Sequence, residues 1–537
     1  MTTYAITTPV ADLPFEMKQT FAGEFVFVKN AYVAYLLDNT GFNLITDTDY
    51  PSYHSYAVTS ITRVGSVATV TTTTTNTLEV GNTVVISGAV ETEYNGTFTI
   101  TGITTPGTVF TYTVSGTPAT PATGTITAYG GWTTVPGIVY LDDYIFVGRT
   151  DGEIQNCNRG AFTIFDALDF FTPDKEPSLL VRIAKSLNFL VAFKTWDTQF
   201  YYNADVAPPG SPMLEQESAY LKLGCASAYS VVEFDGGIVF MSQRDQNQRS
   251  REIHILNGLT PNKISSPEVE RLLNADDLAT VYSLYLSTAG HQFYILTLVT
   301  SGITIACDLT QGAKGWAQWS SLSAQSTQAV ISLTRDGHTV TASVEDHGFS
   351  DGDPVTIAGA TETEYNGTFN IRYINDNTFT YQIPDAPDSP ATGTITAMGY
   401  DESYLDAVAY ATIENLDVTL AEASGVISAL DRDVYQDTDV PIDVLLRTAL
   451  FDYGSDNETI VTYARPIGDR VDADVLIRYT DDDYNSYSRY RAVNLDKPRP
   501  QISGLASTRR RAYDVRHTAD TELRIEALEI ESTKGYT

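Results

Sequence analysis

The chain is poor in the residues that carry most enzyme and metal chemistry. Its 537 residues include three cysteines, Cys157, Cys225 and Cys307, without a CxxC pair. That spacing excludes a disulfide framework and a thiolate zinc site, so all three read as buried thiols. The six histidines (His54, His254, His291, His338, His347 and His517) are scattered, and none stands four residues from another. The i, i+4 spacing that would set two metal ligands on one helical face is therefore missing. GxxxxGK[ST], GxGxxG before a helix, HExxH and GxSxG are also missing, which removes support for phosphate-loop, dinucleotide, zincin and hydrolase-elbow readings. Positive charge is scarce: 33 Lys+Arg against 67 Asp+Glu give a formal net charge of −34. Wrapping nucleic acid or adhering to anionic lipid needs clustered cations, so both are disfavoured, while a passage for DNA is not excluded. The longest uncharged apolar stretch, 292–307, is broken by Thr, Ser and Gly. It is too short to span a bilayer, so no stable membrane insertion is expected. The first residues, MTTYAITTPVADLPFEMKQ, lack the basic start and apolar core of a secretory signal.

What is present is a globular, strand-forming composition, 42% hydrophobic and 11% aromatic. An internal repeat stands out. Residues 62–128 and 334–398 share TR-x-G, then ETEYNGTF (91–98 and 362–369), FTY (110–112 and 379–381) and PATGTITA (121–128 and 390–397). Each copy reads as a small inserted β-barrel-like module, with Asn95-Gly96 and Asn366-Gly367 predicting tight hairpins. With both removed, runs of strand, short turn and strand begin near Phe25, Val139, Val181, Val231, Leu286 and Val408, at spacings of 42 to 57 residues. That is the length of a propeller blade, although a series of β-sandwiches would also place short strands at regular intervals.

The fold class read from this pattern is all-β: a β-propeller of about six blades with two inserted modules and a C-terminal β domain. The expected divisions are an N-terminal segment 1–24, an interrupted propeller (25–61, 129–333 and 399–440), modules at 62–128 and 334–398, and a final domain 441–537. One helix is predicted in SSPEVERLLNADDL, capped by Ser265 or Ser266, with Pro267 and Glu268 in its first turn and Val269, Leu272 and Leu273 on one face.

Candidate interaction residues follow from unusual local chemistry. Asp481, Asp482 and Asp483 form the densest acidic run, in a segment resembling the structural Asp-box turn of sialidase-like propellers, with Tyr487 in the aromatic slot. The plain reading is a surface turn; bound Ca²⁺ would need further spaced oxygen ligands and a glycine that are missing. Arg509, Arg510 and Arg511, with Arg516 nearby, read as charge pairing across strands or subunits, or less readily as phosphate contacts. In the modules, Tyr94, Asn95, Tyr365 and Asn366 are the candidates for contact with partners. No catalytic, cofactor or metal residues are assigned.

The ordered set VYLDDYIFVGRTDGEIQ, FDALDFFTPDKEPSLLVRI, FLVAFKTWDTQFYYNADVAPPGSP, GCASAYSVVEFDGGIVFMS, EIHILNGLTPNKISSPEVERLL and AGHQFYILTL resembles the packaged-DNA stabilisation proteins of short-tailed phages, the tail hub or nozzle family. The C-terminal stretches IRYTDDDYNSYSRYRAV and RRRAYDVRHTADTELRIEALEIE are similar to that family's last strands. The resemblance implies a non-enzymatic virion tail protein with a propeller fold. It implies a homohexameric ring below the portal and its head-to-tail adaptor, retaining packaged DNA and forming the channel for genome ejection. Fibres, tailspikes or a tail plug or needle would be further partners, and duplex DNA would pass without sequence-specific binding. The two modules and the short stretch before Phe25 depart from the family's pattern. The rival readings are a propeller glycan depolymerase and a non-catalytic glycan-binding adhesin of a virion.

Overall fold

Two-residue turns between alternating apolar strands set the local architecture. At Asp142-Asp143 both residues have positive φ, 51° and 65°. This joins Thr134–Leu141 to Tyr144–Arg149 with the backbone twist that tight hairpins require. The computed structural model describes residues 15–534 except 22, 30–32, 39–40, 48, 52–53, 208, 236, 245–249, 279, 289, 311–314, 406, 414–415, 423–426, 431–433, 438–439 and 454–456. The chain divides into two compact units, Met1–Thr300 with Cys307–Trp316, and Ser301–Ala306 with Ala317–Thr537.

The first unit contains three antiparallel sheets in which consecutive strands pair, spanning 15–44, 134–171 and 180–215, and a fourth, 224–263, in which Gly224–Cys225 and Val232–Phe234 both pair with Gly237–Gln243. A further hairpin joins Val281–Thr288 to His291–Leu298. Successive side chains of a strand point to opposite faces, and here both faces are covered. Ile145 and Val147 pack towards Val26, Leu36 and Tyr50, whereas Phe146 packs towards Leu190, Ala192 and Tyr201. In the next sheet Val191 and Phe193 face the other way, onto Phe240 and Leu256, with the Phe193 and Phe240 rings 4.8 Å apart. The 134–171 and 180–215 sheets are thus slabs stacked between neighbours, and Phe193→Ala would cost about 3–5 kcal/mol by losing a packed ring. All three cysteines are free and buried, Cys157 and Cys225 within these cores, and burial pushes the Cys157 thiol up to about 12.

The first repeat is a closed barrel with spatial order Gly124–Gly131, His54–Val64, Val67–Thr72, Val109–Thr113, Gly96–Thr105 and Thr83–Ala89. Its core holds Ile61, Val70, Val84, Tyr94, Phe110 and Tyr112. The second repeat, in the second unit, keeps the order but splits one strand. Gly367–Asn370 pairs with Pro354–Ala360, and Arg372–Asn375 pairs with Thr378–Gln382, with buried Ile371 at the break. The ring of strand pairing is therefore interrupted at that residue. The second unit also contains a three-stranded sheet at 407–430. Its C-terminal part pairs two four-stranded sheets over one core of Val461, Val475, Ile477, Leu505, Tyr513 and Val515.

Three expectations change. Strand Phe15–Gln19 pairs with Phe25–Lys29, so the first sheet begins inside the segment 1–24; the remainder of that segment up to residue 14 lies outside the described residues. The first barrel starts at His54 rather than 62, because similarity between copies marks where the copies are alike, not where pairing begins. The Asn-Gly steps are not tight hairpins. A 3-10 turn, Thr92–Tyr94, occupies the connection, Asn95 has φ −82°, and only Gly96 has positive φ. The predicted helix is present as Pro267–Ala275, the only α-helix among the described residues. The Ser266 hydroxyl accepts from the Val269 amide, and Val269 and Leu273 are buried.

Close backbone approach closes the barrel. A Cβ on Gly88, at φ +87°, would lie 2.0 Å from the Thr125 carbonyl oxygen, whereas Gly65, at φ +62°, has open space. Gly88→Ala is expected to destabilise the first barrel by about 2 kcal/mol or more. Gly65→Ala carries only the left-handed backbone cost, about 1 kcal/mol. Urea unfolding of both variants checks the difference; equal losses would remove close approach as the constraint.

Candidate functional site

The repeated motifs of the two barrels form internal braces. Tyr94 is fully buried and its hydroxyl donates to the Ala119 carbonyl, while Tyr112 donates to the Tyr94 carbonyl. The Asn95 side-chain amide donates to the Ala89 carbonyl at 2.7 Å and accepts from the Ala89 amide at 2.9 Å, imitating one rung of a strand ladder. Tyr365 and Asn366 repeat these bonds to Asp388 and Ala360. Glu91 accepts from the Thr123 amide and hydroxyl, and the amide bond leads in holding its carboxyl below the usual range. Arg63 of the TR-x-G motif ties to the Pro118 carbonyl, and Arg335 to those of Pro387 and Ala386. The structure thus places the four candidate residues in barrel bracing, Tyr94 and Tyr365 fully buried and Asn95 and Asn366 half-buried. The residue types alone could not separate these roles, because an amide that completes a strand ladder and one that meets a partner look the same in sequence.

The C-terminal carboxylates and arginines do come together. Asp514, 1% exposed, accepts from both Arg447 (2.8 and 3.0 Å) and Arg478 (3.0 Å). Register explains this: Arg447 and Arg478 stand opposite Asp514 on the two strands flanking Ala512–His517. Tyr487 and Tyr490 lie 4.0 and 4.5 Å from the Arg478 guanidinium, giving cation–π contacts to the same group. Arg511, fully buried, makes a two-pronged pair with Asp481 at 2.7 Å, donates to the Leu505 carbonyl and stacks 3.9 Å from the Tyr479 ring centre. Arg510 pairs with Asp483 at the surface, and Arg516 holds Asp443 and Asp353. Arg509 is exposed.

Asp482 shapes its own turn. Its carboxylate accepts from the Ser486 hydroxyl and amide and the Thr480 hydroxyl, in that order lowering its pKa from 3.8 to about 2. Sequence reasoning singled out the acidic and basic runs but missed Asp514, Arg447 and Arg478, which stand outside those runs. Their signal is the strand register, which a single sequence does not display. Among the described residues no three His, Cys, Asp or Glu side chains are grouped to hold a metal ion.

A family model described as bacteriophage P22 Gp10, β-propeller, matches residues 62–337, just over half of the chain and including most of the first barrel. No curated protein matches the chain. Among solved structures, an exo-β-1,3-galactanase from Phanerochaete chrysosporium with galactose is 9% identical, with 73% of this chain and 95% of that one covered at a TM-score of 0.23. The phage phi92 endosialidase is 11% identical, with 96% of this chain and 76% of that one covered at a TM-score of 0.17. Overlap that low carries no argument about activity.

Asp514→Asn leaves two guanidinium groups without their shared carboxylate and should cost about 3 kcal/mol or more in urea unfolding. Asp483→Asn, which breaks only the exposed pair with Arg510, should cost less than about 1 kcal/mol. Because the Asp482 carboxyl is depressed, its contribution to the 480–488 turn is complete above its ordinary value of 3.8. The contribution fades as pH falls through about 2. The Ser486 amide resonance should titrate with a midpoint near 2; a midpoint near 4 would contradict the hydrogen-bonded carboxylate.

Proposed function

Since the chain belongs to the phage-stabilisation family of the bacteriophage P22 Gp10 β-propeller, and so is a structural protein of a phage virion tail, we propose that it is the subunit of a tail hub or nozzle. In this reading six copies form a ring below the portal and adaptor, retain the packaged genome and provide the channel through which it leaves. Fibres, tailspikes or a tail plug are the distal partners, and no catalysis is required. The match over 62–337 carries the proposal, and the sheets stacked face to face within that span are the supporting architecture.

Six blades per subunit belong to this reading. It is supported by the four sheets of the first unit, the hairpin of Val281–Thr288 and His291–Leu298, and the three-stranded sheet at 407–430. The inserted barrels are the segments proposed to meet other tail proteins or the host surface, through exposed positions rather than through their repeated motifs.

A conduit must guide DNA without gripping it. A negatively charged wall repels phosphates at close range and is screened beyond about 8–10 Å at physiological salt. The net charge of −34 supplies the carboxylates for such a wall. The arginine run supports it in a second way: Arg510, Arg511 and Arg516 are all committed to carboxylates, leaving little cationic surface there for phosphate.

Native mass spectrometry with negative-stain averaging tests the assembly. The purified 58.7-kDa chain, alone or with its adaptor, is expected as a hexameric ring with a central hole. A monomer that also ignores adaptor and tails would overturn the reading.

A further inference from the structure

A cleft of about 510 Å³ opens between the first barrel and the 134–171 sheet, entirely within the first unit. Tyr50 and Gln155 line it, and each is 2% exposed. Gln155 spends its amide nitrogen on the carbonyls of Asp49 and Asp166, but its amide oxygen has no hydrogen-bond partner among the described residues. The Tyr50 hydroxyl also has none, while its ring packs edge-on against Phe165 at 5.0 Å. Arg149 Nε, also in the lining, is a third buried group without a partner among the described residues; three such groups beside one cleft are unusual, since burial without a hydrogen bond is costly and most such groups are satisfied.

The remaining lining narrows the class of ligand. Trp132 is half-buried, held by its indole N–H to Glu79 at 3.2 Å, with the Arg149 guanidinium 5.0 Å from its ring centre. Arg149 is already neutralised by Asp151 and Glu153, at 2.6 and 2.8 Å. Asp49, Glu79, His54, Asn76 and Thr77 complete the polar lining, and the Asp49 carboxyl is pushed up by burial and then by the neighbouring Asp47 and Asp166. The local field is therefore acidic and repels phosphates and carboxylates. A wholly apolar ligand would leave the buried tyrosine and glutamine groups unpaired. A ligand with many neutral hydroxyls, which both donate and accept, and with apolar C–H faces to lie against Trp132 and Ile103, meets every requirement.

We propose that this cleft binds a neutral oligosaccharide, with the Tyr50 hydroxyl and the Gln155 amide oxygen taking sugar hydroxyls and Trp132 contacting a sugar face. The volume accommodates about two to three sugar units. The site would let a tail structural protein hold glycan without cleaving it, and it does not depend on ring formation.

The test uses the full chain with maltotriose, cellotriose and tri-N-acetylchitotriose, followed by saturation-transfer NMR and tryptophan fluorescence. Inorganic phosphate and sialyllactose serve as anionic probes. At least one neutral trisaccharide is expected to bind with Kd below about 1 mM. Tyr50→Phe removes a hydroxyl that has no hydrogen-bond partner among the described residues, so its unfolding midpoint should match the parent's while affinity falls about tenfold. Trp132→Ala should weaken binding at least as much and abolish the fluorescence response. No binding of any neutral trisaccharide, tighter binding of the anionic probes, or affinity unchanged in both variants would overturn the proposal.

Discussion

Strand edges are the constraint on which this structure depends. A chain that is almost entirely β exposes unpaired backbone groups wherever a sheet ends, and such edges invite aggregation unless paired, covered or closed. The first barrel removes its edges by closing a ring of six strands. The meander sheets of the first unit take the other route, stacking so that both faces of strands such as Phe189–Lys194 are buried and only short edges remain. In the C-terminal part, Val444–Arg447 is an edge strand with Val444, Leu445 and Leu446 substantially exposed. It is fastened to its neighbour through Arg447 and the buried Asp514. Charge thus does at one edge what closure does in the barrel.

The features legible in the sequence were those set by local chemistry. Apolar runs split by short turns around Val139, Val181 and Val231 revealed sheet strands, and the Ser266 cap with Pro267 revealed the helix, because each depends on residues a few positions apart. The repeat revealed two related modules but not their edges, since pairing with His54–Val64 reaches beyond the shared residues. Asn95-Gly96 misled because the asparagine amide serves the Ala89 backbone across a 3-10 turn instead of sitting in a two-residue hairpin. Gly88 gave no warning at all: its role exists only because the Thr125 carbonyl comes against it.

The candidate site was legible by charge but not by partner. Asp481 and Arg511 were both conspicuous, yet their pairing across 30 residues depends on how the sheet folds. Asp514 was inconspicuous and holds the more buried position between two arginines. The cleft beside Trp132 was invisible because segments near residues 50, 79, 103, 149 and 155 meet only in the fold. These observations divide the molecule by role. The stacked sheets and barrels form the scaffold, the acidic surplus is what the proposed conduit would draw on for its wall, and most of the arginines at 509–516 serve internal pairing.

The most direct measurement of the central claim is cryo-electron microscopy of the intact virion tail at a resolution that places individual strands. The account predicts six copies of this chain around the tail axis, below the adaptor, enclosing a channel wide enough for duplex DNA with a predominantly acidic wall. Copies found only in peripheral appendages, or an axial ring whose wall is basic, would contradict it.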